Sequence, residues 1–262
     1  MIHVDEAGTG PALLLLHGAA PGATGKANFG QNLDGFSRTF RTLIADLPGH
    51  GASDSLPADG GPQYRRLAEA FDADLEARGI EKVHVVGMAT GGAVAVAMAA
   101  LFPERVDKVV LVGPPGSRAH LSPAPSEGIK AIQAYNRGSG PSREKMRAYL
   151  ELTVHDPGLI TEEILDERYD ESVRRLGLDG QQSIGATAPG REDVLAYLPQ
   201  VTAETLVVWG RGNRLQGVEG AFQFLSGLPR AEAHIYDDAG LWVPFEKKEH
   251  FEHLVTGFLT RP

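Results

Sequence analysis

The apolar positions of this chain fall in short, mostly continuous runs rather than in strict alternation. ALLLL (12–16), RTLIAD (41–46), KVHVVG (82–87), DKVVLVG (107–113), TLVVWG (205–210) and EAHIYD (232–237) have the length and apolar character of strands. Such apolarity predicts strands covered on both faces. Helical periods separate several of them. QYRRLAEAFDADLEARGI (63–80) is amphipathic and stops at Gly79. GGAVAVAMAALFPERV (91–106) is apolar on most sides and belongs against the sheet, and EKKEHFEHLVTGFL (246–259) closes the chain. Strand–helix alternation predicts an α/β fold: a mostly parallel central sheet with helices on both faces.

The rhythm breaks between Ser117 and Pro199, where SPAPSEG, GSGPS and HDPG punctuate a polar helical stretch. Insertions that follow strand C-termini lie over the ligand crevice of such sheets. The expected division is therefore a first core part (1–116), a helical cap (117–199) and a second core part (200–262).

VVGMATGGAVAVAMAA (85–100) has the form of a strand, a sharp glycine turn and a helix. In G-x-S-x-G turns of this kind the apex carries a nucleophilic serine. Here Gly87-Met88-Ala89-Thr90-Gly91 puts Ala89 at the apex, and no other G-x-S-x-G occurs in the chain. Further along, the acid of such a relay follows a late strand, and Asn213 stands there, after TLVVWG. The base follows the last strand, and Leu241 stands there, in GLWVPFE. The order nucleophile, acid, base is kept as Ala89, Asn213, Leu241, with no reactive atom at any of the three.

These motifs are specific enough to carry a resemblance. With LLLLHGAAPGATGKANFGQNL, LPGHGASD, HDPGLITEEILDERY, VVWGR and GLWVPFE in order, the chain resembles the meta-cleavage-product hydrolases, carbon–carbon bond hydrolases of the α/β-hydrolase fold. The resemblance is nearly full length, and by it the chain enters at the family's second strand. It implies an oxyanion hole from the backbone of Ala19 and Thr90, and substrate contacts at Asn28, Trp242 and Arg168, the last for a substrate carboxylate. Met88 departs from the family, whose usual residue at that slot is asparagine. A homodimer is a further implication of the resemblance.

Arg168 also stands out by spacing. Thr161 reads as a helix N-cap with Glu162 and Glu163 in the first turn. Arg168 lies four and three residues after Ile164 and Leu165, on the same inward face. An arginine there either snorkels to water or meets an anion. The histidines read as structural or solvated: His17 and His50 in turns, His155 in the cap, His250 and His253 on the last helix rather than as metal ligands. APGATGKA (20–27) matches a phosphate loop in part, but Ala20 and Ala27 replace its first glycine and its metal-binding hydroxyl.

Composition narrows the partners. A net charge of -9 disfavours a nucleic-acid surface. The absence of cysteine removes disulfides, thiol catalysis and Cys-ligated zinc. No apolar run approaches the roughly 20 residues of a membrane span, and MIHVDEAG has no signal-peptide pattern. The expectation is a cytoplasmic protein acting on a small molecule, without metal or other cofactor.

Loss of a full triad costs on the order of 10⁶ in turnover, which excludes the conventional Ser-His-Asp route. Three functions stay open on the sequence. One is a non-hydrolytic enzyme in a biosynthetic pathway: a cyclase, isomerase, dehydratase or decarboxylase acting on an anionic, unsaturated or polyketide-like molecule. Another is a non-catalytic small-molecule binder. The third is residual hydrolysis by water, or an engineered inactive hydrolase.

Overall fold

A computed structural model describes residues 1–57, 61–118, 121, 124–179 and 192–262. Its strands are β1 (Val4–Ala7), β2 (Ala12–Leu16), β3 (Arg41–Ala45), β4 (Val83–Met88), β5 (Val106–Val112), β6 (Glu204–Gly210) and β7 (Ala231–Tyr236). The helices of the core are α1 (Gly25–Phe29), α2 (Leu33–Phe36), α3 (Gln63–Ala77) and α4 (Thr90–Leu101), followed after the insertion by α8 (Glu219–Gly227), α9 (Val243–Glu246) and α10 (Lys248–Leu259). Between β5 and β6 run α5 (Glu127–Tyr135), α6 (Arg143–Glu151) and α7 (Glu162–Asp179), inside the stretch expected as a cap. Parts of that stretch lie outside the described residues.

The strands form one seven-stranded sheet in the order β1-β3-β2-β4-β5-β6-β7. Every neighbouring pair is parallel except β1 with β3. This is the expected architecture with one strand added. The apolar pattern missed β1 because VDEA carries two charges in four residues. A short, charged segment is common at a sheet edge, where one side meets water.

The apolar runs of β2 to β6 are explained by the two cores, whereas β7, at the sheet's other edge, is largely exposed and is not covered on both faces as expected. Leu14 and Leu16 of β2 enter one apolar cluster with α3 and α4, while Leu13 and Leu15 enter the other with α10 and residues of α6 and α7. Successive side chains of a strand point to opposite faces, so a strand buried on both needs apolar residues throughout. α4 is apolar around its circumference for the same reason: its residues 91–99 are all buried. The register sets Leu16 beside Gly87, Met88 beside Val112, and Val112 beside Val208. The loops after β2, β4, β5, β6 and β7 therefore leave at one edge. The chain reverses direction across the sheet between β2 and β4, the position at which such sheets open a crevice.

His17 and His50 lie under that edge. His17 Nδ1–H donates to the Gly18 carbonyl at 2.7 Å and Nε2 accepts from the Leu47 amide at 2.8 Å. The His50 ring meets it edge-on at 5.3 Å. Burial depresses both imidazoles below the ordinary value of 6.5, His17 the more strongly. Among the described residues, no helix is long and apolar enough to cross a membrane.

A pH dependence follows. A depressed folded pKa means that below about pH 6.5 the unfolded chain binds protons that the folded chain excludes. Unfolding free energy from urea titrations is expected to fall as pH drops through this range, by up to about 1.4 kcal/mol per pH unit for each imidazole that stays neutral. H17N, which supplies a donor and an acceptor without titrating, is expected to flatten the slope. An unchanged slope in H17N contradicts the assignment.

Candidate functional site

The turn between β4 and α4 is held in a strained conformation. Ala89 has φ 47°, ψ -121°, the single non-glycine residue with positive φ among those described. Such a conformation costs an alanine on the order of 1–3 kcal/mol. Its surroundings enforce it. The Ala89 amide donates to the Val112 carbonyl at 2.9 Å, and the Gly91 amide donates to the His17 carbonyl at 3.0 Å. A Cβ on Gly91 would sit 2.2 Å from the Leu16 carbonyl oxygen, so helix α4 can approach β2 only with glycine there. Ala89 Cβ faces the loop after β2, 3.1 Å from where a Cβ on Gly18 would lie. The neighbouring amides of Ala19 and Thr90 have no hydrogen-bond partner among the described residues.

Asn213 and Leu241 reach the same place from the other side. Asn213 Oδ1 accepts from the amides of Leu215 (2.9 Å) and Gln216 (3.0 Å), which fixes the orientation of its side-chain amide. Nδ2 is thereby turned away from that turn and is buried with no partner. A Cβ on Gly113, the residue after β5, would meet Leu241 Cδ1 at 2.7 Å and Asn213 Nδ2 at 2.9 Å. Ala89, Asn213 and Leu241 thus gather around the end of β5. An amide donor there faces a leucine methyl, and a buried unpaired donor costs about 1–3 kcal/mol.

A second group of residues hangs on α7. Thr161 Oγ1 accepts from the Ile164 amide at 3.3 Å, capping the helix as expected. Arg168 is 3% exposed, its Nε and Nη1 have no partner, and its Cζ lies 5.8 Å from the Trp242 ring. Burial is the main pull on the guanidinium, lowering its pKa, opposed by Tyr149, Glu167 and Tyr135. Trp242 stacks on Phe245 at 4.4 Å, and its Nε1–H donates to the Asn28 carbonyl at 3.1 Å. Asn28, at the buried end of α1, leaves Oδ1 unpaired. Met88 is buried in the apolar cluster that also holds Leu241, Trp242 and Tyr149. The arrangement therefore presents buried cationic donors, a buried acceptor and apolar walls, all unsatisfied by the protein itself.

The remaining sequence candidates lie elsewhere. Lys26 is exposed, and the first amide of α1, on Gly25, is already bonded to Asp46 Oδ1 at 2.8 Å, leaving no phosphate cradle. His155 is exposed, with Nδ1 3.2 Å from where a Cβ on Gly212 would lie. His250 and His253 are exposed, and His250 Nδ1 is hydrogen-bonded to the Tyr236 hydroxyl at 2.8 Å. Among the described residues, no group of three or more His, Asp or Glu side chains is placed to hold a metal. Tyr135 and Tyr149, which act on Arg168 electrostatically, were not singled out. The signal for Tyr149 is the apolar face of α6, where Met146, Tyr149 and Leu150 are buried at helical spacing, whereas Tyr135 is the buried last residue of α5.

A profile of the alpha/beta hydrolase fold family matches residues 11–248. A 2-hydroxy-6-oxononadienedioate/2-hydroxy-6-oxononatrienedioate hydrolase of Burkholderia vietnamiensis is 36% identical, covering 99% of this chain and 91% of that one. A 2-hydroxy-6-oxo-6-phenylhexa-2,4-dienoate hydrolase of Comamonas testosteroni is 34% identical, with coverage of 99% and 91%. A solved meta-cleavage product hydrolase from Pseudomonas fluorescens IP01, a serine-to-alanine mutant complexed with acetates, superposes with a TM-score of 0.85 at 28% identity, covering 98% of this chain and 93% of that one. These relatives are enzymes, and they are named as hydrolases. That overturns the expectation of a cyclase, isomerase or lyase in a biosynthetic pathway. The expectation rested on reading Ala89, Asn213 and Leu241 as replaced reagents, a reading that supplies no chemistry for a different reaction.

The site has a cost that can be measured. Burying a charge without a partner is destabilising, and an isosteric apolar replacement is often neutral or stabilising by 1–4 kcal/mol. R168M is expected to raise the melting temperature of the ligand-free protein by a few degrees. A lower melting temperature in R168M means the guanidinium is satisfied within the fold.

Proposed function

Since the chain belongs to the α/β-hydrolase fold family and resembles its meta-cleavage product hydrolases, we propose that its site receives a 2-hydroxy dienoic acid of the class named for those relatives. The observation that carries this reading is the unpaired, buried Arg168 guanidinium. A carboxylate is the group that satisfies it best, by charge-assisted hydrogen bonds. The unpaired Asn28 Oδ1 nearby asks for a donor, which the 2-hydroxyl of such an acid supplies. Met88, Leu241 and Trp242 line the path of the carbon chain, and helices α5, α6 and α7 of the insertion serve as the cap. The amides of Ala19 and Thr90 are the donors for a carbonyl oxygen as negative charge develops on it.

In this reading Ala89, Asn213 and Leu241 replace the nucleophile, acid and base. Their order along the chain and their meeting at the end of β5 support the assignment. None of the three side chains forms an acyl intermediate or moves a proton. Hydrolysis is then left to water adding directly to the polarised carbonyl, without the factor of about 10⁶ that a triad contributes.

Titration with 2-hydroxy-6-oxo-6-phenylhexa-2,4-dienoate, followed by Trp fluorescence, is expected to saturate, and R168M to weaken binding by at least about thirtyfold. Equal affinity in R168M removes the reading. Turnover tests the second part. A89S/N213D/L241H is expected to hydrolyse this acid orders of magnitude faster than the native chain. A89S/L241H is expected to stay slow. Asn213 Nδ2 donates to the imidazole introduced by L241H and holds the tautomer that cannot take the serine proton, a defect worth about 10⁴ in a protease triad. Native turnover equal to that of the triple variant contradicts the assignment of these three positions.

A further inference from the structure

Two buried phenols, Tyr135 and Tyr149, act on the Arg168 guanidinium electrostatically from the helices packed beside α7, and the fold uses only one of them. Tyr135, on α5, is 1% exposed, and its hydroxyl is bonded to Ser172 Oγ at 2.6 Å. Ser172 in turn donates to the Tyr169 carbonyl at 2.7 Å. That hydroxyl is committed to holding α5 against α7. Tyr149, on α6, is 3% exposed, and its hydroxyl makes no hydrogen bond within the described residues. α6 packs along α7, and Tyr149 shares its apolar cluster with Met88, Leu241 and Trp242. Burial pushes its phenol up, so it stays protonated and able to donate. A tyrosine this deeply buried ordinarily finds a partner for its hydroxyl.

We propose that Tyr149 is a specificity-determining residue whose hydroxyl donates to the carboxylate that Arg168 grips. The proposal rests on the acid-binding reading above and narrows it. The guanidinium supplies the charge, and the phenol supplies a neutral donor to an oxygen of the same carboxylate. A site with both rejects a ligand in which the carboxylate is esterified. The ester has no negative charge for Arg168, and its alkyl group blocks one of the two oxygens that accept hydrogen bonds. The unused hydroxyl on α6 then has the same explanation as the unused Nε and Nη1 on α7. All three are completed by one ligand group, which ties two cap helices together when it binds.

The test compares affinities for 2-hydroxy-6-oxo-6-phenylhexa-2,4-dienoate and for its methyl ester, by calorimetry, in the native chain, Y149F, Y135F and R168M. Y149F removes one oxygen and keeps the ring, and circular dichroism checks that it folds. Y149F is expected to bind the acid about tenfold more weakly, the scale of a hydrogen bond to a charged group, and to leave the weak affinity for the ester unchanged. Y135F is expected to lower the melting temperature and leave acid affinity near native. If Y149F matches the native chain for the acid while R168M does not, the role given to Tyr149 is wrong and the acid site stands. If Y149F loses acid and ester equally, its hydroxyl is structural and the proposal fails. If the native chain and R168M both bind the acid no better than the ester, the acid-binding reading falls, and this proposal with it.

Discussion

A guanidinium buried without a counter-charge is among the most costly arrangements a folded chain can hold. Arg168 is in that state, and the residues around it follow from it. Trp242 gives its ring face to the cation, the phenols of Tyr135 and Tyr149 act on it electrostatically, and no acid within the described residues pairs with it. Asn28, tied to Trp242 through its own carbonyl, adds an unpaired acceptor. A fold that leaves several buried polar atoms unsatisfied in one region is set up for something it does not itself contain. In the proposed reading, the charge selects an anion and the apolar walls select a carbon chain behind it.

The opposite end of the site carries a different kind of cost. Ala89 is held at positive φ by the packing of β2, β4 and α4, and the close approach of Gly91 to Leu16 leaves that backbone no other path. In this fold the strain serves to present a nucleophile. The strain persists here although alanine gains nothing from it, because it is imposed by the sheet and not by the side chain. In the proposed assignment, Asn213 shows the same separation of scaffold from reagent. Its Oδ1 caps the turn to Leu215 and Gln216, a task an acid performs equally well, and only its outward atom differs.

Much of the fold was legible because both-face burial leaves a plain trace. Runs such as ALLLL and VHVVGM admit few other readings, and the glycines around Ala89 mark a turn that only small residues fit. β1 was not legible, since an edge strand of four residues with two charges has no apolar signature. At the site, the inward face of Arg168 could be read from its spacing to Ile164 and Leu165. The unpaired state of its nitrogens could not, because it depends on which side chains from β7's following loop, α1 and α6 come close. Neither could the orientation of the Asn213 amide, which two backbone N–H groups decide. The function expected from the sequence failed for a related reason. Absent side chains name no reaction, while the relatives matched along nearly the whole chain are named as hydrolases.

The account turns on the Arg168 guanidinium being free to take a carboxylate, and nitrogen NMR of its Nε–H, assigned by comparison with R168M, reports on that group directly. Titration with acetate is expected to move the Nε–H resonance downfield along a saturable curve, while acetamide, of similar size and without charge, leaves it in place. A resonance that already sits at a hydrogen-bonded position without ligand, or that responds equally to both molecules, would contradict the claim that this cation waits unpaired for an acid.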